Sequence, residues 1–321
     1  MCSKYLPVIN VALWLRNFIA VMFLLGCFTP TSLFADEQKV FNPNRTYIVG
    51  FAQDTMSNDW RAAQVRDVEV ELSKYPFIKF IYSDAKGSAA RQALDLERFV
   101  TDGVDVIITS PRDANIMAPV ISRIYKQGIP IILLTRKASN EDYTAYIGAD
   151  DYDIGRQAAK YLAARLNNKG RVVMLKGVAT ATTSIKRTQG FVNQVKQYPG
   201  IEIVAEEYAD YRRNNAIKAM EKILSKHIKF DAVYAQSDSM ATGARMVMKK
   251  FGIDPKSKII IGIDYIDEAR KAIISGEQSA SFTYPTAGKE GAETAVSIIK
   301  GEKVEKNQNI DFRLMTKDGL K

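Results

Sequence analysis

The polar residues of this chain that could take part in chemistry stand where its apolar runs end. They are Gln53, Asp54, Asp84, Ser110, Thr135, Arg136, Lys176, Tyr208, Gln236, Ser237, Asp238, Asp264 and Thr283. If the apolar runs are parallel strands, these side chains gather at one edge of a sheet, where ligands bind in open α/β folds. Because amides, hydroxyls, carboxylates and guanidinium groups donate and accept hydrogen bonds, the pattern predicts a polar cleft that holds a ligand.

The residue types that drive most hydrolytic and metal-dependent chemistry are scarce. The chain has one histidine, His227, and two cysteines, Cys2 and Cys27. Zinc sites and Ser-His-Asp or Cys-His nucleophiles need a positioned histidine or several ligands of these types. The sequence also lacks the motifs of a nucleophile elbow, G-x-S-x-G, and of nucleotide cradles, G-x-x-x-x-G-K-[ST] and G-x-G-x-x-G. We therefore expect a binding protein with no enzyme activity, no metal and no cofactor.

Short apolar runs alternate with helical patterns along most of the chain and must position these polar residues. The predicted strands are Tyr47–Phe51, Ile78–Tyr82, Val104–Ile108, Ile129–Leu134, Arg171–Leu175, Ile201–Val204, Ala232–Tyr234, Lys258–Ile263 and Ser279–Thr283. Strands separated by helices predict an α/β protein with parallel sheets covered on both faces. A chain of 321 residues with so many strands suits two doubly wound lobes better than one sheet. A closed eight-stranded barrel is the alternative.

The N-terminus is predicted to be a cleaved secretory signal peptide of residues 1–35. Two basic residues and no acidic one precede the apolar run Phe18–Phe28, which is too short to span a membrane. We place the cut after Ala35, so that residues 36–43 form a short tail before the first strand. Two alternatives stay open, namely acylation of Cys27 in a lipoprotein-like sequence and an uncleaved anchor.

Removal of this leader takes away both cysteines and changes the charge only slightly. The leader carries two basic and no acidic residues, so the formal net charge falls from +9 to +7. The remaining basic residues are scattered, which is typical of a solvated surface. For an exported protein we therefore expect no nucleic-acid partner.

Eight segments occur in the order found in one protein family. They are Gly50–Gln53, Asn58–Ala63, Gly103–Ile108, Gly128–Ile131, Ile147–Asp150, Arg187–Phe191, Tyr234–Ala241 and Ile261–Asp264. Together they resemble the type I periplasmic sugar-binding proteins of ribose, galactose and galactofuranose uptake, over nearly the whole chain beyond the leader. The Trp60-Arg61 pair is most similar to the galactofuranose binder.

The resemblance implies two interleaved lobes joined by three crossings. The first lobe would comprise residues 44–148 and 284–311, and the second residues 149–283 and 312–321. A sugar would lie between the lobes and be buried when they close. The resemblance further implies a periplasmic monomer.

The strand-end pattern and the resemblance together predict the residues that bind the ligand. They are Gln53, Trp60, Arg61, Ser110, Thr135, Arg136, Arg187, Tyr211, Ser237, Asp238, Asp264 and Thr283. Aromatic rings cover the C–H faces of a sugar, while arginines and carboxylates hydrogen-bond its hydroxyls. Core packing is the alternative role of the two aromatic residues, and surface salt bridges are the alternative for Arg136, Arg187 and Asp264.

Three of these positions depart from the family pattern. Thr135 stands where the family usually has an aspartate, and Ser110 and Ser237 stand where the ribose binder has asparagines. All three side chains are shorter, and Thr135 removes an anionic acceptor beside several arginines. These departures suggest a ligand that is larger than ribose or that carries a carboxylate or phosphate.

Four functions fit a chain of this kind to different degrees. The first is capture of a sugar for an ABC-type membrane permease, and the second is reporting of a sugar to a sensor histidine kinase or chemoreceptor. A sugar-responsive transcription regulator would need a helix-turn-helix where this chain has a leader. A periplasmic carbohydrate enzyme would need the catalytic motifs that the sequence lacks.

Overall fold

The computed structural model of the protein describes residues 41–320. The predicted signal peptide, its alternative lipid anchor at Cys27 and residues 36–40 of the predicted tail lie outside the described residues. Between residues 41 and 320, no helix has both the length and the apolar composition needed to cross a membrane.

The described residues form twelve strands. They are β1 (Tyr47–Gln53), β2 (Ile78–Asp84), β3 (Val106–Thr109), β4 (Ile131–Leu134), β5 (Ala145–Gly148), β6 (Lys169–Lys176), β7 (Gly200–Tyr208), β8 (Ala232–Ala235), β9 (Ile259–Asp264), β10 (Ala280–Thr283), β11 (Asn307–Asn309) and β12 (Leu314–Thr316). All nine predicted strands are confirmed. The sequence prediction missed β5 and also β11 and β12, which have only three residues each.

Nine α-helices alternate with the strands in this part of the chain. They are α1 (Asp59–Leu72), α2 (Ala89–Thr101), α3 (Ala114–Lys126), α4 (Asp151–Arg165), α5 (Thr182–Val195), α6 (Arg213–Ser225), α7 (Asp238–Lys250), α8 (Asp267–Ser275) and α9 (Gly288–Ile299). Several begin at an Asn, Ser or Asp whose side chain accepts a backbone N–H of the first turn, as Asn58 does for α1 and Ser237 for α7. Such N-caps fix where each helix starts after its strand.

The strands form two separate six-stranded sheets. The order is β11-β5-β4-β3-β1-β2 in the first and β12-β10-β9-β8-β6-β7 in the second. Every pairing is parallel except that of β12 with β10. The predicted class of two doubly wound lobes is therefore confirmed, and the eight-stranded barrel is wrong.

Burial explains why the central strands are continuous apolar runs. Every residue of β3, β4 and β8 is buried, because helices cover both faces of each parallel sheet. The chain passes between the sheets three times, between β5 and α4, between β10 and α9, and between β11 and β12. The carboxyl ends of the parallel strands in both lobes face one cleft, where the candidate site lies.

Candidate functional site

A small cavity lies between the two lobes and is lined by side chains of both. The lining residues are Asn58, Trp60, Arg61, Thr183, Arg187, Tyr211, Asp264 and Tyr284, and the cavity that they enclose has a volume of about 20 Å³. Aromatic rings, guanidinium groups and a carboxylate alternate around this space. Such a lining can cover an apolar face of a small ligand and hydrogen-bond polar groups at its edge.

Trp60 and Tyr284 form the aromatic part of the wall. Their ring centroids are 5.6 Å apart at an interplanar angle of 44°. The indole Nε1 of Trp60 donates a hydrogen bond to the carbonyl oxygen of Tyr284 at 2.9 Å. Tyr211 closes the cavity from the second lobe, and its hydroxyl shares a hydrogen bond with that of Thr183 at 2.8 Å.

A buried carboxylate organises the arginines of the first lobe. Asp54 lies 2.8 Å from Arg136, 3.5 Å from Arg61 and 3.7 Å from Arg112, between the nearest nitrogen and oxygen atoms. Burial alone would raise the pKa of Asp54, but the guanidinium groups of Arg136 and Arg61 outweigh it and hold the pKa below its ordinary value. Burial and the neighbouring Arg136 in turn lower the pKa of Arg61 to about 10. Arg61 also donates to the Ser110 hydroxyl at 2.8 Å.

Arg187 is held by an equivalent carboxylate of the second lobe. Its Nε donates to Asp151 at 2.7 Å and its Nη1 donates to the carbonyl oxygen of Gln236 at 2.7 Å. Burial would lower the pKa of Arg187, but Asp151 outweighs it and raises the pKa well above its ordinary value. Asp151 also accepts a hydrogen bond from the Tyr284 hydroxyl at 3.2 Å. The guanidinium group is thereby fixed at the cavity wall with its charge paired.

Two glycines allow this ion pair to form, because they let α4 and α5 pack closely. A Cβ atom on Gly155 of α4 would lie 2.2 Å from the carbonyl oxygen of Arg187, and one on Gly190 of α5 would lie 2.0 Å from that of Tyr152. Any larger residue at either position would separate the two helices. The separation would pull Asp151 away from Arg187.

Asp264 faces the cavity without an ion-pair partner among the described residues. Burial and the nearby Asp238 raise its pKa well above the ordinary value for aspartate. Hydrogen bonds donated to a carboxylate favour its ionised form. A ligand that brings hydroxyl groups would therefore satisfy Asp264 in a way that the protein alone does not.

Three residues at the cleft adopt left-handed backbone conformations. The φ angles of Thr135, Tyr211 and Asp264 are 61°, 63° and 111°. Such conformations cost about 1–3 kcal/mol each and concentrate at functional sites. Thr135 directly follows β4 and Asp264 ends β9, so the strained backbone turns these two side chains at the edge of the sheet.

The lobes touch one another around the cavity. The Asn58 side chain donates to the carbonyl oxygen of Tyr211 at 3.3 Å. Beyond the cavity, Ala114 N donates to Thr180 O at 3.2 Å and Lys137 N donates to the Thr182 hydroxyl at 3.0 Å. Since the lining arginines are almost fully buried, a ligand can enter only when these contacts open.

The structure brings five of the twelve predicted site residues to the cavity wall, namely Trp60, Arg61, Arg187, Tyr211 and Asp264. Ser110, Thr135 and Arg136 form a second layer behind them. Arg136 is 1% exposed, and its guanidinium carbon lies 5.4 Å from the centre of the Tyr211 ring.

Four predicted residues support the site from a distance instead. Gln53 hydrogen-bonds Gln64 of α1 at 3.0 Å, and the Ser237 hydroxyl caps α7. Asp238 accepts the hydroxyl of Ser281 at 2.7 Å, and the Thr283 hydroxyl accepts the backbone N–H of Arg313 at 2.8 Å. None of these four side chains lines the cavity.

The twelve residues predicted from the sequence do not include Asn58, Thr183 and Tyr284, which line the cavity, or Asp54 and Asp151, which hold the arginines. Asp54 follows β1 directly and was visible as a strand-end carboxylate. Tyr284 follows β10 in the same way. Among residues 41–320, no group of three or more His, Cys, Asp and Glu residues is arranged to hold a metal ion.

The buried carboxyl group of Asp238 should make the stability of the protein depend on pH. Burial raises the pKa of its carboxyl from 3.8 to about 6, against the hydrogen bonds from Ser281 and Gln278. The folded protein therefore keeps a proton between about pH 4 and 6 that the unfolded chain releases, and the contribution of Asp238 to the free energy of unfolding falls as the pH rises through this window. This difference in pKa corresponds to a change of about 3 kcal/mol in the free energy of unfolding.

Urea unfolding between pH 4 and 8 checks this expectation. The difference in unfolding free energy between the wild type and Asp238→Asn should decline up to about pH 6 and stay constant above pH 7. A difference that does not change with pH would contradict it.

Two parallel-sheet lobes that close over a polar and aromatic cavity define a ligand-capturing protein of the two-lobed binding type. The comparisons with known proteins make this specific. The family model described as "Periplasmic binding protein domain" matches residues 49–303, and the chain belongs to this family. The resemblance seen in the sequence is thereby confirmed.

Three similar proteins illustrate the family. The ribose import binding protein of Bacillus subtilis (strain 168) is 26% identical over 94% of this chain and 99% of its own length. The galactofuranose-binding protein of Escherichia coli (strain K12) is 31% identical over 73% of this chain and 76% of its own length. Among solved structures, the fructose-binding periplasmic domain of a hybrid two-component system is 32% identical and has a TM-score of 0.81. The match covers 85% of this chain and 91% of that domain.

Proposed function

We propose that this protein captures one sugar, or a sugar derivative, between its lobes in the periplasm and delivers it to an ABC-type permease. The observation that carries the proposal is the cavity itself, in which Trp60, Arg187 and Asp264 meet. An aromatic ring for the C–H face and charged groups for the hydroxyls are what a sugar requires. The names of the similar binding proteins support the same class of ligand.

We propose a neutral sugar, because each arginine beside the cavity already has a carboxylate partner. The arginine surplus inferred from the sequence is reduced by Asp54 and Asp151, which already pair with Arg136, Arg61 and Arg187. Position 135 is a threonine and supplies no carboxylate. Arg136 pairs with the carboxylate of Asp54 instead. An added anion would face Asp264 without gaining an unpaired arginine. The shorter side chains of Thr135, Ser110 and Ser237 suggested either a ligand larger than ribose or an acidic ligand. We therefore propose the first of these, a neutral ligand larger than ribose.

A thermal-shift screen with neutral monosaccharides and polyols tests the proposal. A ligand at about 100 times its dissociation constant should stabilise the protein by about 2.7 kcal/mol. Titration of the stabilising sugar should also change the emission of Trp60, the only tryptophan outside residues 1–35.

The control for the emission change is Trp60→Phe, which should remove the signal while the thermal shift persists in weaker form. A folded protein that no sugar in the panel stabilises, and whose emission no sugar alters, would contradict the proposal.

Sensing is the second candidate function. The fructose-binding domain of a hybrid two-component system shares the fold and 32% of its sequence with this chain. In that role the closing lobes would report a sugar to a membrane sensor instead of releasing it to a permease. Both roles place the same sugar in the same cavity, so a pull-down with solubilised permease or sensor, in the presence and absence of sugar, distinguishes them.

The finer features of the exported form are part of the proposal. We propose cleavage after Ala35, with acylation of Cys27 as the alternative, and a monomer without enzymatic activity. Mass spectrometry of the protein purified from the periplasm would give the mature N-terminus. Cleavage after Ala35 predicts Asp36 as the first residue.

A further inference from the structure

A second cavity lies at the base of the second lobe, at the end of the sheet opposite the cleft. Its lining includes Arg171 near the start of β6, Asp231 directly before β8 and Lys258 directly before β9. Its volume is about 590 Å³, within the range of about 300–1,000 Å³ that is typical of small-molecule sites. This basal cavity shares no residue with the cavity between the lobes, so the capture of a sugar does not explain it.

Apolar side chains form part of the wall of the basal cavity. Leu224 and Phe230 belong to the core of the second lobe, and Ile228 and Ile253 pack against that core. Phe251, which follows α7, is 44% exposed. A ligand with an apolar body would remove the Phe251 ring from water, which is favourable in proportion to the apolar area covered.

The acidic groups of the basal cavity are already engaged within the protein. Asp231 accepts the backbone N–H of Arg171 at 2.8 Å, and the Arg171 Nε lies 3.8 Å from the same carboxylate. Asp254 accepts the backbone N–H of Lys256 at 3.0 Å and so holds the short turn before β9. Neither carboxylate forms an ion pair with a lysine of residues 41–320.

Two lysines of the lining, Lys229 and Lys258, form no ion pair with any carboxylate that the structure describes. Lys258 donates one hydrogen bond to the carbonyl oxygen of Phe230 at 2.7 Å, and its Nζ lies 5.4 Å from the centre of the Phe230 ring. Since an ammonium group carries three N–H donors, Lys258 keeps two for a ligand. His227, the only histidine of the chain, lines the same cavity. Aromatic surface and unpaired positive charge thus meet at one place.

We propose that the basal cavity binds a small aromatic carboxylate, with its ring against Phe251 and its carboxylate at Lys229 and Lys258. This site is separate from the proposed function and does not depend on it. The ring of the ligand would cover the exposed Phe251 ring. The carboxylate would supply the anionic acceptor that Asp231 and Asp254 do not offer to the two lysines. A neutral aromatic molecule would gain only the first of these interactions.

Calorimetric titration of the wild-type protein with benzoate, 1-naphthoate and indole-3-acetate tests the inference, with 1-naphthalenemethanol as the neutral counterpart of 1-naphthoate. At least one of the three acids should bind with one site per chain. 1-Naphthalenemethanol should bind about tenfold more weakly than 1-naphthoate, because hydrogen bonds to charged groups contribute about 1.5–3 kcal/mol each.

Substitutions locate the site. Lys229→Glu and Phe251→Ser should each weaken binding of the acid by about tenfold, because the first reverses a charge that pairs with the carboxylate and the second removes the stacking surface. Lys256→Glu and Met246→Ser are the matched controls. Lys256 lies in the same segment as Lys258, and Met246 lies on α7 and is 50% exposed, but neither lines the basal cavity. Both controls should bind the acid as the wild type does.

Thermal unfolding checks that each variant folds. If Phe251→Ser does not fold, Lys229→Glu and Lys258→Gln carry the test, since neither lysine takes part in an ion pair of the described residues.

Three outcomes would overturn the inference. They are the absence of binding by all three acids, equal affinities for 1-naphthoate and 1-naphthalenemethanol, and equal affinities of Lys229→Glu and Lys256→Glu for the acid. None of these results bears on the proposed function, because the variants of the basal cavity should bind the sugar as the wild type does. Loss of sugar binding in the wild type would in turn leave this inference standing.

Discussion

Arg187→Met is expected to abolish sugar binding, with affinity reduced by about a hundredfold or more. The guanidinium group lines the cavity and is oriented by Asp151 and by the carbonyl oxygen of Gln236. Hydrogen bonds to charged groups contribute about 1.5–3 kcal/mol each, and about 1.4 kcal/mol is a factor of ten in affinity. The loss of two such bonds to the ligand is therefore enough to abolish binding at micromolar concentrations.

The same substitution should also destabilise the fold, because it leaves Asp151 buried without its cation. Removal of one partner of a buried pair costs about 3–5 kcal/mol. Urea unfolding and calorimetry separate the two effects when the double variant Arg187→Met/Asp151→Asn is added. The double variant should regain part of the stability but none of the affinity. Recovery of sugar binding in the double variant would show that Arg187 serves only the fold.

Asp54→Asn is expected to disrupt the first lobe's half of the site. This carboxylate is 1% exposed and is the common partner of Arg136, Arg61 and Arg112. Its loss leaves buried guanidinium groups that repel one another, at a cost of about 3–5 kcal/mol in unfolding free energy. Sugar affinity should fall by at least tenfold, because Arg61 would no longer be fixed at the cavity wall.

The control for this variant is Asp95→Asn in the same lobe. Asp95 pairs at 3.2 Å with Arg98, whose side chain is 55% exposed, and pairs with such an exposed partner contribute about 0–1 kcal/mol. Urea unfolding of both variants should show a much larger loss for Asp54→Asn, and only that variant should lose sugar affinity. Equal losses of stability would contradict the role assigned to the arginine cluster.

The sequence predicts the fold well where strands are apolar and buried. β1, β6 and β9 appear as apolar runs because helices cover both faces of each sheet. β11 and β12 have only three residues each, and β11 is entirely polar, so neither shows an apolar pattern. Their existence depends on pairing with neighbouring strands, which is a tertiary property.

The site is predictable from the sequence in part. Trp60 and Arg187 were found because they stand in segments that resemble a family, and Asp264 because it ends a strand. Asp151 could not be found in this way, since its role arises only when α4 and α5 pack closely through Gly155 and Gly190. Tyr284 becomes a wall only when both lobes meet around it.

Position at the end of a strand also predicted more ligand-binding residues than the cavity contains. Gln53 and Asp238 end or follow strands, yet their side chains turn into their own lobes and are satisfied there by Gln64 and by Ser281 and Gln278. Sequence position places a residue at the correct edge of the sheet. The hydrogen bonds of the folded state decide whether it reaches the ligand or supports a neighbour.

Calorimetric titration of the wild-type protein with galactose and galacturonate, beside the sugar that stabilises it best in the thermal screen, tests whether the cavity binds a neutral sugar. One neutral sugar should bind per chain with micromolar or tighter affinity, and an acidic counterpart of the same size should bind at least tenfold more weakly. Binding of the acidic sugar more tightly than its neutral counterpart would contradict the charge pairing described for the cleft. The absence of binding by any sugar to the folded protein would contradict the proposed capture of a sugar between the lobes.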